Sequence, residues 1–182
     1  NLYLKGRFLW NKRTEPDVRR SIAAYEKALG LDPKQVLAYA GLADAYSILG
    51  IYNYLPPKEA FPKAKEAASR ALELDDGLPE AHCALACTSA VHDWNWWRAE
   101  EEFKRAIELN PSHGTAHQWY GNFCLVPLGR FDEALEALRR AQDVDPLSIS
   151  VSASVGLTLY FAGRYDDAIR HCRETIEFDP GF

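Results

Sequence analysis

The chain has 182 residues, 47% hydrophobic and 26% charged, an ordinary composition for a folded chain that excludes disordered and collagen-like classes. Lys and Arg number 21 against 26 Asp and Glu, and this net charge of −5 argues against nucleic acid, whose binding needs a basic face to neutralise phosphates. No apolar run approaches the roughly 18 residues of a membrane span, and the chain's start lacks the basic-then-apolar order of a signal peptide.

Taken in order, the chain is punctuated by one recurring stop. It reads Leu31-Asp32-Pro33, Leu74-Asp75-Asp76, Leu109-Asn110-Pro111, Val144-Asp145-Pro146 and Phe178-Asp179-Pro180, at spacings of 43, 35, 35 and 34 residues. Five units are expected, at about 1–33, 36–76 with an insertion, 79–111, 114–146 and 149–180, forming a single array over 1–182. Each unit is predicted to be two antiparallel helices. The second helix carries small residues seven apart, on one face: Ser21 and Ala28, Ala64 and Ala71, Ala99 and Ala106, Ala134 and Ala141, Ala168 and Thr175. Small side chains there let two helix axes approach closely. Large residues fill the gaps, with Tyr25, Phe103, Leu138 and Cys172 four after the first small residue. Gly50, Gly129 and Gly163 are assigned to the turn between the helices, where positive φ is least costly for glycine.

The last two units are nearly the same sentence, GRFDEALEALRRAQDVDP from Gly129 and GRYDDAIRHCRETIEFDP from Gly163. A helix-pair repeat of about 34 residues resembles the tetratricopeptide family. The resemblance implies an all-α fold, a right-handed α–α solenoid of about five helix-turn-helix repeats, with no catalytic activity of its own. The strings YLKGRFLWNKRT (Tyr3–Thr14), LAYAGLADAYSILG (Leu37–Gly50), LPPKEAFPKAK (Leu55–Lys65) and HDWNWWRAEEEFKRAIELNP (His92–Pro111) are similar to the repeat region of large bacterial signalling proteins. In those proteins a kinase, winged-helix or cyclase effector precedes the repeats, and no effector residues lie in this chain.

By the same resemblance the first helices line a concave groove where a protein or peptide segment lies. Its expected residues are Asp44 and Ser47, Cys83 and Cys87, Gln118 and Asn122, and Tyr160, with Ala40, Ala90, Leu125, Ala153 and Leu157 beside them. Only Asn122 fits the Lys, Arg and Asn pattern of arrays that grip a chaperone tail's carboxylate. The expected function is therefore a protein-interaction scaffold within a bacterial signalling or regulatory protein, with self-association controlling an attached effector as the alternative.

Other chemistry is weaker. His113 and His117 have a ligand-like spacing, but Gly114 stands where a catalytic Glu would follow and no third ligand is apparent, so a cap and a packing residue are expected and no metal. Cys83 and Cys87, one turn apart, make an awkward disulfide; with Cys124 and Cys172 they are expected as buried, reduced thiols of a cytoplasmic protein. Glu100 with Lys104 and Glu101 with Arg105 describe a solvated helix face. No phosphate loop, nucleophile elbow or isolated carboxylate pair occurs, and no cofactor is implied.

The insertion, IYNYLPPKEAFPK from Ile51, is too apolar for a solvated loop and too proline-rich for one unbroken helix. It is expected to cover Trp94 and Trp97 of the next unit in a small satellite cluster, the alternative being that these two form an exposed aromatic patch for a partner. Trp96 matches Phe131 and Tyr165 and is assigned to the core. A chain that opens on Asn1 and has no Met is expected to be part of a longer protein, and the helix from about Tyr165 to Phe178 to show an uncovered apolar side that favours homo-oligomers.

Overall fold

A computed structural model describes residues 1–178 and Pro180. Asp179 of the last stop signal lies outside the described residues. Among them all regular structure is helical, and no helix is long and apolar enough to cross a membrane. The chain divides into two compact units, residues 1–109 and 110–182.

The first unit holds α1 (Leu2–Asn11), α2 (Glu15–Leu31), α3 (Val36–Ile51), α4 (Pro57–Leu74), α5 (Pro79–Val91) and α6 (Trp96–Leu109). Each helix packs on the next, and α3 also meets α1 and α5. The small residues expected at the contacts are buried: Ser21, Ala28, Ala64, Ala71, Ala99 and Ala106. Tyr25 of α2 is wholly enclosed, and its ring occupies the space a Cβ would need at Gly6 of α1 and at Gly41 of α3. Two glycines thus let one tyrosine key three helices together.

The second unit holds α7 (Gly114–Trp119), which continues into a π-helical segment (Tyr120–Leu125), then α8 (Phe131–Val144), α9 (Ile149–Phe161) and α10 (Tyr165–Phe178). Ala134, Leu138 and Ala141 of α8 are fully buried, the last two in a cluster with Val151 of α9.

The stop signal has a local cause. In four of the five, the Asp or Asn side chain accepts the N–H two residues on: Asp32 from Lys34, Asp75 from Gly77, Asn110 from Ser112 and Asp145 from Leu147, at 3.0–3.3 Å. That turn ends one helix and aims the chain at the next.

Turns inside the pairs share a second device, one residue of positive φ: Arg13, Asn53, Trp94, Gly129 and Gly163. Gly50 is not among them. It lies within α3, where its missing Cβ leaves room for the Phe61 ring. After the turn residue, an N–H closes back on the helix, Tyr54 to Leu49, Arg130 to Leu125 and Arg164 to Leu159, each five residues back. In the third pair Asn95 reaches Ser89, six back. An extra residue is housed in that turn. The fourth pair houses its extra residue upstream, in the π segment, where the Val126 N–H meets the Gly121 carbonyl five residues back.

The insertion is neither a solvated loop nor one unbroken helix, since a turn at residues 52–56 separates α3 from α4. Most of it is helix: α3 runs 16 residues and α4 runs 18, without interruption. Pro57 opens α4, where its missing N–H has no partner to lose, and Pro62 sits in the second turn on the solvent side, giving up one bond.

Candidate protein-binding surfaces

In the first unit the expected groove residues are closed. Asp44 is 2% exposed and Ser47, Cys83 and Cys87 are 0% exposed. They lie on the faces through which α1, α3 and α5 meet, and Arg7 of α1 donates to the Asp44 carboxylate at 2.6 Å. Burial works against the charge on Arg7, but Asp44 together with Tyr25 and Tyr3 outweighs it and holds Arg7 more basic than usual. Burial pushes the Cys83 and Cys87 thiols up, away from the reactive thiolate. These four residues hold neighbouring helices together and present nothing to a peptide. Their spacing placed them correctly on the first helices; it could not separate the flank facing the next helix from the flank facing solvent.

In the second unit two of the expected positions, Gln118 and Asn122, share Ser154 as a partner. Gln118 Nε2 donates to Ser150 Oγ at 2.8 Å and Ser154 Oγ at 3.1 Å, and Asn122 Nδ2 donates to Ser154 Oγ at 2.8 Å. Ser154 Oγ donates in turn to the Ser150 carbonyl. This ladder ties α7 and its π segment to α9 and fixes the side-chain amide of Asn122, which stays half-buried. One helical turn beyond Ser154 begins an exposed row, Leu157 at 52%, Tyr160 at 56% and Phe161 at 52%. The Tyr160 ring lies 5.5 Å from Phe161 and 5.7 Å from Tyr165. Leu125 is buried in a cluster with Ala134 and Ala137 and does not reach the surface.

Trp94 and Trp97 do not form the cluster expected with the insertion. They are 69% and 73% exposed, and the Trp94 ring stands edge-on to Trp96 at 5.7 Å. Tyr52 and Tyr54 meet edge to face instead, 5.7 Å between centroids, and Arg19 of α2 donates to the Tyr54 carbonyl at 2.9 Å. With α4 starting at Pro57, the insertion has little loop left to reach the tryptophans.

The histidines are engaged locally. His113 Nδ1 accepts the Ala116 N–H as the cap of α7, and His117 Nε2 meets the Pro111 carbonyl at 2.9 Å. No group of three metal ligands occurs among the described residues. Cys83, Cys87 and Cys124 are buried, but Cys172 is exposed, because no further helix covers that side of α10 among the described residues.

Comparison with known proteins agrees with this geometry. A family model described as tetratricopeptide repeat matches residues 95–143 and 125–181. The transcriptional regulator HilA of Salmonella typhimurium is 26% identical over 169 residues, 93% of this chain and 30% of that protein. Regulator of microtubule dynamics protein 1 of Rattus norvegicus is 31% identical over 112 residues, 46% of this chain and 36% of that protein. The chain thus spans about a third of the length of these relatives. Among solved structures, MamA is similar with a TM-score of 0.60 at 27% identity, over 93% of this chain and 92% of that one. YrrB, described as a TPR protein with an unusual peptide-binding site, has a TM-score of 0.57 at 25% identity, over 91% and 80%. A thermophilic TPR protein of Thermus thermophilus has a TM-score of 0.77 over 100% and 93%; at 17% identity that likeness concerns the fold alone.

Proposed function

We propose that this chain, a tetratricopeptide-repeat protein and hence a protein-interaction scaffold, takes up an extended protein segment along the face of its second unit built by α7, the π segment and α9. The observation that carries the reading is the Gln118–Ser150–Ser154–Asn122 ladder ending at the open Leu157–Tyr160 row. An amide held by neighbours on a rigid helix pair offers a peptide backbone a partner at little ordering cost, and the apolar row beside it offers side-chain contact. The likeness to HilA along nearly the whole chain supports a place in a cytoplasmic bacterial regulatory protein.

A peptide array probed with the purified chain, followed by calorimetry on the binding sequences, tests this. Asn122→Ala or Tyr160→Ala should weaken a binding sequence roughly tenfold, the worth of one lost hydrogen bond or ring contact, with the far-ultraviolet circular dichroism unchanged. Arg140→Ala, at an exposed position of α8, should leave it unaltered. Loss through Arg140 and not through Asn122 or Tyr160 would put the site on the opposite surface.

Self-association is the second reading. It is favoured by apolar side chains left open on α10, Tyr165 at 60%, Ile169 at 51% and Ile176 at 60%.

A further inference from the structure

We propose that the turn between α1 and α2 is a receptor for an oxyanion, a carboxylate or phosphoryl group, held by the guanidinium of Arg13. Arg13 is the positive-φ residue of that turn, and its guanidinium lies over the Trp10 ring, 3.4 Å from the centroid. A ring face satisfies the charge in part but accepts none of the five in-plane N–H donors. Arg13 Nη1 is enclosed and has no acceptor among the described residues.

Every other cation of the turn is matched. Lys12 and Arg20 pair with Asp17, and Arg19 with Glu15. At the same indole, Arg7 lies 4.3 Å from the Trp10 centroid and is committed to Asp44 at 2.6 Å. Two guanidiniums thus lie over one ring, and the Asp44 carboxylate bonds to Arg7. An enclosed guanidinium nitrogen with no acceptor is costly, and a fork-shaped donor is matched by an anion with two oxygens. Burial lowers the Arg13 pKa to about 10, which leaves it charged at neutral pH. Tyr52, which caps the end of α3 and is 43% exposed, is close enough to act electrostatically on Arg13.

This site is in the first unit and does not depend on the peptide face of the second. Thermal unfolding of the whole chain is compared in chloride, acetate and phosphate at one pH and ionic strength. Acetate or phosphate should raise Tm saturably above the chloride value; acetate alone identifies a carboxylate, phosphate alone a phosphoryl group, and both a shared oxyanion site. R13Q should abolish the response and R173Q, an exposed α10 change, should keep it. R13K retains charge without the fork and should bind at least about tenfold more weakly, which decides the matter even where R13Q does not fold. Equal Tm in all three salts, or a response that survives R13Q, or R13K binding like the native chain, overturns the proposal.

Discussion

His82 on α5 meets two acceptors at once, Glu102 of α6 through Nδ1 at 2.7 Å and the Asp76 carbonyl through Nε2 at 2.9 Å. Both ring nitrogens must carry hydrogen to serve both, so the arrangement favours imidazolium. The Glu102 hydrogen bond raises the His82 pKa, burial opposes this, and Arg105 lowers it a little. A folded pKa above the unfolded one means that the contribution is fully present below about pH 6.5, the ordinary histidine value, and fades as pH rises through the folded pKa. Urea midpoints should therefore fall from pH 6 to pH 8 in the native chain and flatten in His82→Gln; parallel curves would show that the pair is not coupled to folding. Glycine gives a second test at this scale. Gly30 and Gly163 both have nothing within 4 Å of where a Cβ would be, so space cannot distinguish them. Backbone does: Gly30 is helical in α2, and Gly163 has φ of +73°. Gly30→Ala should stabilise by about 0.5 kcal/mol and Gly163→Ala destabilise by about 1–2 kcal/mol, read from denaturant melts.

The helix pairs were legible because their signals are local. An Asp or Asn that ends a helix by accepting an N–H two residues on must stand at a fixed place, so the stops at Asp32, Asp75, Asn110 and Asp145 mark every boundary. The 35-residue spacings also declared an extra residue in the third and fourth pairs. Where it would go was not legible. A turn at Trp94 and a π segment at Tyr120–Leu125 both absorb one residue, and the choice depends on packing that spacing does not encode. The candidate site divides similarly: Asn122 is half-buried and Tyr160 exposed, whereas Asp44, Ser47, Cys83 and Cys87 share that register but are buried toward a neighbouring helix. The register itself predicts a stability contrast on α8. Ala134 is fully buried, and the Gly121 backbone approaches its carbonyl closely, so Ala134→Leu should cost roughly 1–3 kcal/mol by overpacking. Glu136, exposed beside Arg139 and Arg140, should change stability by no more than about 0.5 kcal/mol on replacement by Ala. Similar midpoints for the two variants would overturn the register.

Across the molecule, two sets of apolar side chains are exposed where interior helices bury theirs. On α9, Ser154 and Thr158 are covered within the second unit; on α1, Leu4 and Phe8, likewise one turn apart, are 60% and 65% exposed. On α8, Leu135 is half-covered in the same unit, whereas its repeat counterpart on α10, Ile169, is 51% exposed and Ile176 is 60% exposed. Each row resembles half of a contact that the repeats make internally, and apolar rows of this kind drive association when a complementary row is present. Sedimentation velocity over a concentration series should therefore show a weight-average mass that rises above the monomer. Ile169→Glu with Ile176→Glu should hold the chain monomeric without loss of helicity, since both positions are already in solvent. Leu4→Glu with Phe8→Glu separates the two geometries: it abolishes association when α1 of one copy meets α10 of the next, a head-to-tail contact, and leaves it intact when two α10 faces pair about a twofold axis. A mass that stays monomeric at every concentration would refute both geometries.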